Sequence, residues 1–161
     1  MSALVTIGAT LATAESLTGG LVGGAVTTMA GSSAVYRGGV VAYATDVKTS
    51  LLGVPEPVVE EYGVVSGECA EEMAEGVRRL LAATYGLSTT GVAGPDEQEG
   101  KPAGTVYVGV AGPTGVRHVA LALAGDRASI RTQTVAVALS ALSEQVSADG
   151  EFGVGEDSAL G

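Results

Sequence analysis

Residues 9–20, ATLATAESLTGG, carry a short apolar run straight into a glycine-rich helix start, with one serine at the junction. The run reads as a largely buried strand over 9–14. A small-residue helix from Thr18 to about Ala30 follows it, despite Gly23 and Gly24 in its interior. A second strand is expected at 37–44 (RGGVVAYA), with Val41 and Tyr43 on one face and Val40, Ala42 and Ala44 on the other. This strand–helix–strand alternation demands layers, a sheet with helices packed against it. Composition agrees: 46% of the residues are hydrophobic but only 4% aromatic, so small side chains must pack closely, as α/β layers do.

The rest of the chain continues the pattern. Thr45 is placed to cap a short helix through Leu52, with Lys48 on its first turn, and Pro55 and Pro57 start another short helical segment. The clearest helix opens at Ser66, carries Cys69, Met73, Val77, Leu80 and Thr84 on its apolar stripe, and is expected to stop at Gly86. Glu68, Glu71 and Glu72 lie early in it and Arg78 and Arg79 late, which suits the helix dipole. Strands at 87–91 and 105–111 flank the polar loop GPDEQEGKPAG, and Gly112–Gly115 turns a hairpin into 117–124. Asp126 caps a last helix whose stripe is Val135, Ala138, Leu139, Leu142 and Val146. The order β–α–β–α–α–β–β–β–α gives an α/β fold, a mixed sheet covered by helices on both faces. At 161 residues it is read as one domain over 1–148, followed by a disordered, acidic, glycine-rich tail at 149–161.

Charge and composition exclude several classes. The net charge is −10, from 18 acidic and 8 basic residues, and Arg78-Arg79 is the one adjacent basic pair, so direct nucleic-acid binding is not expected. Apolar runs break well short of the ~18–20 residues a membrane span needs. MSALVTIGAT lacks a basic leader, so no secretory signal is expected, and a lone Cys69 excludes an internal disulfide. A cytoplasmic protein is the expectation. With a mean hydropathy of +0.36, a domain this small is expected to hide surface against a copy of itself as a homo-oligomer.

Candidate chemistry narrows by elimination. A Ser-His-Asp triad needs a histidine, and the single one, His118, falls mid-strand in the hairpin, where a solvated residue is the simpler reading. Cys69 sits on an apolar helix stripe, as a small buried hydrophobe does. One His and one Cys at unrelated places do not make a zinc site, and no metal is expected. Neither GxxxxGK[ST] nor GxGxxG is present. The amides of Thr18 to Leu21, with no Cβ at Gly19 and Gly20, suit either an anion cradle or a tight strand-to-helix turn. Lysines are two, Lys48 and Lys101. Lys48 at a helix start is either an ordinary surface lysine or an amine whose pKa the positive dipole end lowers toward that of a base. Arg127 and Arg131 lie four apart on one helix face, as a phosphate or carboxylate clamp or as a solvated helix start. Ser16, Lys48 and these groups meet at one sheet edge if the strands are neighbours, giving an acyl-transfer or anion-binding site.

Several separate segments taken in order, AESLTGG, AGSSAVYRGGVVAYATDVKTSLLGV, GVVSGECAEEMA, TGVAGPDEQEGKPAGTVYVGV and GDRASIR, resemble the C-terminal domain of the competence/damage-inducible protein CinA. The resemblance covers roughly Ala9 to Leu142. That family includes stand-alone nicotinamide-nucleotide amidohydrolases. The resemblance therefore implies hydrolysis of the carboxamide of nicotinamide mononucleotide to nicotinate mononucleotide and ammonia, a pyridine-nucleotide salvage step, on a three-layer α/β/α domain with a mixed five-stranded sheet and no cofactor. It places the nucleophile on Ser16 and the base on Lys48, with Tyr43, Arg127 and Arg131 in the catalytic set. Substrate contacts are implied at Glu15, Thr18, Gly19, Gly20, Gly94, Pro95, Gly104 and Thr105. Amides near Thr18–Gly20 would hold the oxyanion, one arginine would clamp phosphate or polarise the amide, and Tyr43 and Thr105 would orient Lys48 or bind the ribose. The family begins with a longer helix ahead of the first strand; only MSALVTIG precedes ATLATAES, so the expectation is that either that helix is lost or the start codon was placed late. The alternative function is a non-catalytic nucleotide- or phosphate-binding module acting with a partner in competence or DNA-damage response.

Overall fold

The structure is a computed structural model that describes residues 1–153, with side chains through Gly150. Five strands form one mixed sheet in the order β2-β1-β3-β4-β5. They are β1 (Leu11–Glu15), β2 (Tyr36–Val41), β3 (Tyr85–Gly91), β4 (Thr105–Gly112) and β5 (Gly115–Ala122). β2, β1 and β3 are parallel, whereas β4 and β5 run antiparallel as a hairpin with β3 as neighbour. The helices are α1 (Ser2–Thr6), α2 (Leu21–Thr27), α3 (Ser32–Val35), α4 (Thr45–Ser50), α5 (Glu56–Tyr62), α6 (Gly67–Leu80) and α7 (Arg127–Gly153). The three-layer α/β/α architecture is the expected one.

Two cores sit on the two sheet faces, and strand alternation distributes residues between them. Leu11 of β1 joins Val22 and Val26 of α2, Leu87, Val108 and Val110 of the sheet, and Ala138, Leu142 and Val146 of α7. Ala12 and Ala14 face the other way, against Cys69, Met73 and Val77 of α6 and Leu52 and Val54 after α4. Met73 and Val77 are both 0% exposed, and burial of such a side chain contributes about 1.5–3 kcal/mol. The same alternation sends Glu15, the last residue of β1, and Ser16 just after it to opposite layers: Glu15 toward α2, Ser16 toward α4.

Boundaries differ from the sequence reading at identifiable places. α6 ends at Leu80 rather than Gly86, because Ala82 turns left-handed (φ 48°) and the Ala83 amide closes on the Arg78 carbonyl at 2.9 Å. Gly86 belongs to β3, where a Cβ would collide with the Ala74 carbonyl of α6; its small size sets helix-to-sheet spacing. The expected helix from Thr18 to about Ala30 begins only at Leu21 and is followed by the separate α3. β2 stops at Val41, so Tyr43 lies beyond the strand, and Thr45 is the first residue of α4 with no side-chain cap there. Ser66 and Asp126 do cap, accepting from the amides of Cys69 (3.1 Å) and Ser129 (2.8 Å). A short helix, α1, does precede the first strand and buries Leu4. α7 continues past Ala148 to Gly153, and Asp149 accepts from the Gln145 amide at 2.8 Å; the remainder of the expected tail, 154–161, lies outside the described residues. Among the described residues no helix is long and apolar enough to cross a membrane.

Candidate functional site

Ser16 extends the β1 ladder by one residue, its amide donating to the Thr89 carbonyl of β3 at 2.9 Å. Glu15, one residue earlier and on the opposite face, is 3% exposed. Its Oε1 accepts from Thr18 Oγ1 and from the Val22 amide, both at 2.7 Å, and its Oε2 from the Gly23 amide at 3.1 Å. A carboxylate therefore occupies the positive end of α2. Thr18 Oγ1 also lies 2.7 Å from Thr89 Oγ1, and Gly19 and Gly20 take left-handed φ values of 58° and 103° to make the turn. The Gly19 amide donates to the Ser16 carbonyl (3.0 Å) and that of Leu21 to the Thr18 carbonyl (3.1 Å). Of the amides expected to cradle an anion over Thr18–Leu21, those of Gly19 and Leu21 are bonded within the turn, and Glu15, Thr18, Gly19 and Gly20 build the turn without lining the adjoining cavity.

Lys48 comes from α4 on the same side as Ser16. It is 2% exposed, and Nζ donates to the Ala42 carbonyl at 2.8 Å and to Ser16 Oγ at 3.2 Å. Burial holds its ammonium below the ordinary lysine range, against a smaller opposing pull from Cys69 and Glu99. Desolvation, rather than the helix dipole invoked from sequence, is the cause. Cys69 is itself buried, its thiol pushed up to about 11 mainly by desolvation, and it stays a packing residue. His118 lies in β5 and meets Glu71 at 2.8 Å, away from the dyad's cavity.

Ser16 and Lys48 open onto a cavity of about 440 Å³ whose other walls include Tyr43, Val64, Thr90, the segment Gly94–Gln98 and Arg127. Gly94 and Pro95, where the resemblance implies substrate contacts, line this cavity. The two arginines diverge although they lie one helical turn apart. Arg127 lines the cavity, donating from Nη1 to the Gly94 carbonyl (2.7 Å) and from Nη2 to Tyr43 OH (2.9 Å). Arg131 instead holds the back of the serine turn, with Nε on the Leu17 carbonyl (2.9 Å) and Nη2 on that of Thr18 (3.0 Å). Tyr43 orients Arg127, not Lys48. Gly104 and Thr105 do not reach the cavity: Gly104 bonds the backbones of Val92 and Leu123, each at 2.8 Å, and Thr105 Oγ1 donates to Pro102 at 2.8 Å. Residues that the sequence did not single out are Leu17, Thr90, Val64, Val65 and the carbonyl of Ala42. Period-two alternation in β3 carried a signal for Thr90; a backbone carbonyl carries none.

A family model of the CinA C-terminal domain matches residues 1–146. The chain belongs to the CinA C-terminal domain family. It is 55% identical over 136 residues to a CinA-like protein of Frankia casuarinae, covering 84% of this chain and 31% of that protein. A putative competence-damage inducible protein of a Geobacillus species is 49% identical over 140 residues, covering 86% of this chain and 34% of that protein. The chain thus spans about a third of the length of these curated relatives. Among solved structures, a CinA superfamily protein of Klebsiella pneumoniae superposes with a TM-score of 0.87 at 33% identity, covering 91% of this chain and 92% of that one. A competence/damage inducible protein of Agrobacterium tumefaciens gives 0.83 at 38% identity, covering 88% and 87%. These likenesses fix the CinA domain and its fold; the names carried by the relatives specify no reaction.

Proposed function

We propose that this CinA domain is an amidohydrolase that removes the carboxamide nitrogen of nicotinamide mononucleotide, with Ser16 as nucleophile and Lys48 as base. The observation that carries the reading is the buried Lys48 Nζ lying 3.2 Å from Ser16 Oγ at the wall of a cavity. A phosphate-binding module has no use for an amine desolvated beside a hydroxyl, whereas nucleophile activation requires it. At about 440 Å³ the cavity is in the ~300–1,000 Å³ range of small-molecule sites.

In the reaction, neutral Nζ accepts the hydroxyl proton as Ser16 Oγ attacks the carboxamide carbon. The Ala42 carbonyl holds Nζ in line throughout, so only its lone pair needs to turn toward Oγ. For the oxyanion the Leu17 amide is the fitting donor. The Ser16 carbonyl in the same peptide accepts from Gly19, so the trans N–H points the opposite way, and no acceptor among the described residues meets it. Protonated Nζ then passes its proton to the departing nitrogen, and ammonia leaves an acyl ester on Ser16. Water, deprotonated by Nζ, attacks the ester; the carboxylate product leaves and Oγ regains its proton. Arg127 and Lys48 are the cationic side chains lining the cavity among the described residues. The Arg127 guanidinium has five N–H donors, so bonds to Gly94 and Tyr43 leave others for the substrate phosphate.

The test is ammonia release from nicotinamide mononucleotide by wild type, Ser16→Ala and Lys48→Met. Loss of either group is expected to cost at least ~10³-fold in kcat. A wild type that binds the nucleotide without releasing ammonia sinks the enzyme reading in favour of a binding module. Release from another small carboxamide alone moves the substrate and leaves the dyad.

A further inference from the structure

The loop after β3 returns through a two-residue turn. Gln98 and Lys101 exchange backbone bonds (3.1 and 2.9 Å), and the residues between them, Glu99 and Gly100, both take left-handed φ (54° and 69°). Such turns favour Asn or Gly at both central positions, and a glutamate there breaks the local rule. What the glutamate contributes is its carboxylate. Oε1 accepts from the Val64 amide and Oε2 from the Val65 amide, each at 3.0 Å, so one side chain holds two successive amides just ahead of α6. Gly63 is shaped to admit it: a Cβ there would lie 2.5 Å from Glu99 Oε2. Lys101 completes the junction, its Nζ on the Val65 carbonyl and 3.8 Å from Glu99. Thr90 Oγ1 donates to the Val64 carbonyl at 2.6 Å from beneath. Val64 and Val65, and Gly94 to Gln98, all line the Ser16–Lys48 cavity.

We infer that Glu99 is a positioning residue of this site, a latch that fixes the 94–101 loop against Val64–Val65 and so sets the width of the cavity around its substrate. The inference rests on the amidohydrolase reading for what fills the cavity, but the latch is a physical contact that is measurable without turnover. Glu99 touches neither reacting atom, so its removal changes grip more than chemistry. Its negative charge also helps to hold Lys48 protonated, so neutralising it lowers the pH at which the base is released.

The experiment uses the full chain with Glu99→Ala and Glu99→Gln. Amide hydrogen exchange at Val64, Val65 and 94–101 is followed beside kcat and KM for nicotinamide mononucleotide as a function of pH. Glu99→Ala is expected to speed exchange at Val64 and Val65 by ~10-fold or more and to raise KM by about 10-fold with kcat within about 3-fold. Glu99→Gln keeps one acceptor oxygen and is expected to fall between, while both variants move the acid limb of kcat/KM to lower pH. A purely structural residue would not give that common displacement. Unchanged exchange at Val64 and Val65 in Glu99→Ala overturns the latch, as does an unchanged KM in an active enzyme. A wild type inert on this nucleotide defeats the amidohydrolase reading instead, and exchange alone then decides the latch.

Discussion

Two segments leave the sheet side by side, the turn after β1 and the loop after β3, and they are held in opposite ways. The turn Glu15–Gly23 is locked from inside by the Glu15 carboxylate and from outside by Arg131 on two carbonyls, with Thr18 bonded to Thr89 beneath. The loop from Gly94 is mostly exposed, and its side-chain ties to the rest of the protein include Glu99 on two amides and Arg127 on one carbonyl. A reacting atom must be placed within a fraction of an ångström, whereas a binding wall must admit and release a ligand. The turn is built for the first task and the loop for the second. Arg131 and Arg127 divide between them.

The largest effects belong to the dyad itself. Ser16→Ala and Lys48→Met are expected to lose at least ~10³-fold in kcat with the nucleotide still bound, which titration calorimetry reads. Arg131→Ala comes next. Releasing the Leu17 and Thr18 carbonyls lets the serine turn relax, and a displacement of ~1 Å is worth about 10²-fold, expected in kcat with KM little changed. Arg127→Ala is smaller, about 10-fold in KM with kcat within ~3-fold, because the cavity loses its phosphate partner and the Gly94 tie. Steady-state kinetics on the two arginine variants therefore gives opposite signatures. Should both raise KM alone, or both lower kcat alone, the division between turn and loop is wrong.

Much of this was legible in residues that obey one rule at a time. Alternation along ATLATAES puts Leu11 and Ala12 on opposite faces and Ser16 on the face of Ala12; that α4 brings Lys48 to that face is tertiary information. The strand-to-helix turn, the late hairpin and the Ser66 and Asp126 caps follow from local chemistry. The misreadings arise where one residue serves two rules. Gly86 looks like a helix stop because glycine ends helices, yet it is a strand residue chosen to let α6 approach. The family resemblance implies substrate contacts at Glu15 and Thr18, yet their side-chain oxygens bond within the turn and to Thr89. Arg127 and Arg131 share a helix face, and spacing alone cannot reveal that one reaches a cavity and the other two carbonyls. Tyr43 faces Arg127 because β2 ends at Val41 and releases the chain.

The smallest effect separates the turn's rigidity from its electrostatics. Lys48 is protonated more readily in the unfolded chain than in the folded one, since burial depresses its pKa. Below the folded pKa both states carry the proton and the folded state bears the full cost of a desolvated ammonium. Between the folded value and about 10.4, where free lysine titrates, the unfolded state binds more protons and stability rises with pH. Above that value the contribution vanishes. Lys48→Met removes this slope and also leaves the Ala42 carbonyl without its donor, a loss that does not depend on pH. The Tm difference, variant minus wild type, is therefore expected to fall as pH rises toward 10. Thermal melts across that range check it. A difference that stays flat or grows with pH shows that Lys48 is not held in a desolvating site, and the case for a neutral amine beside Ser16 loses its electrostatic support.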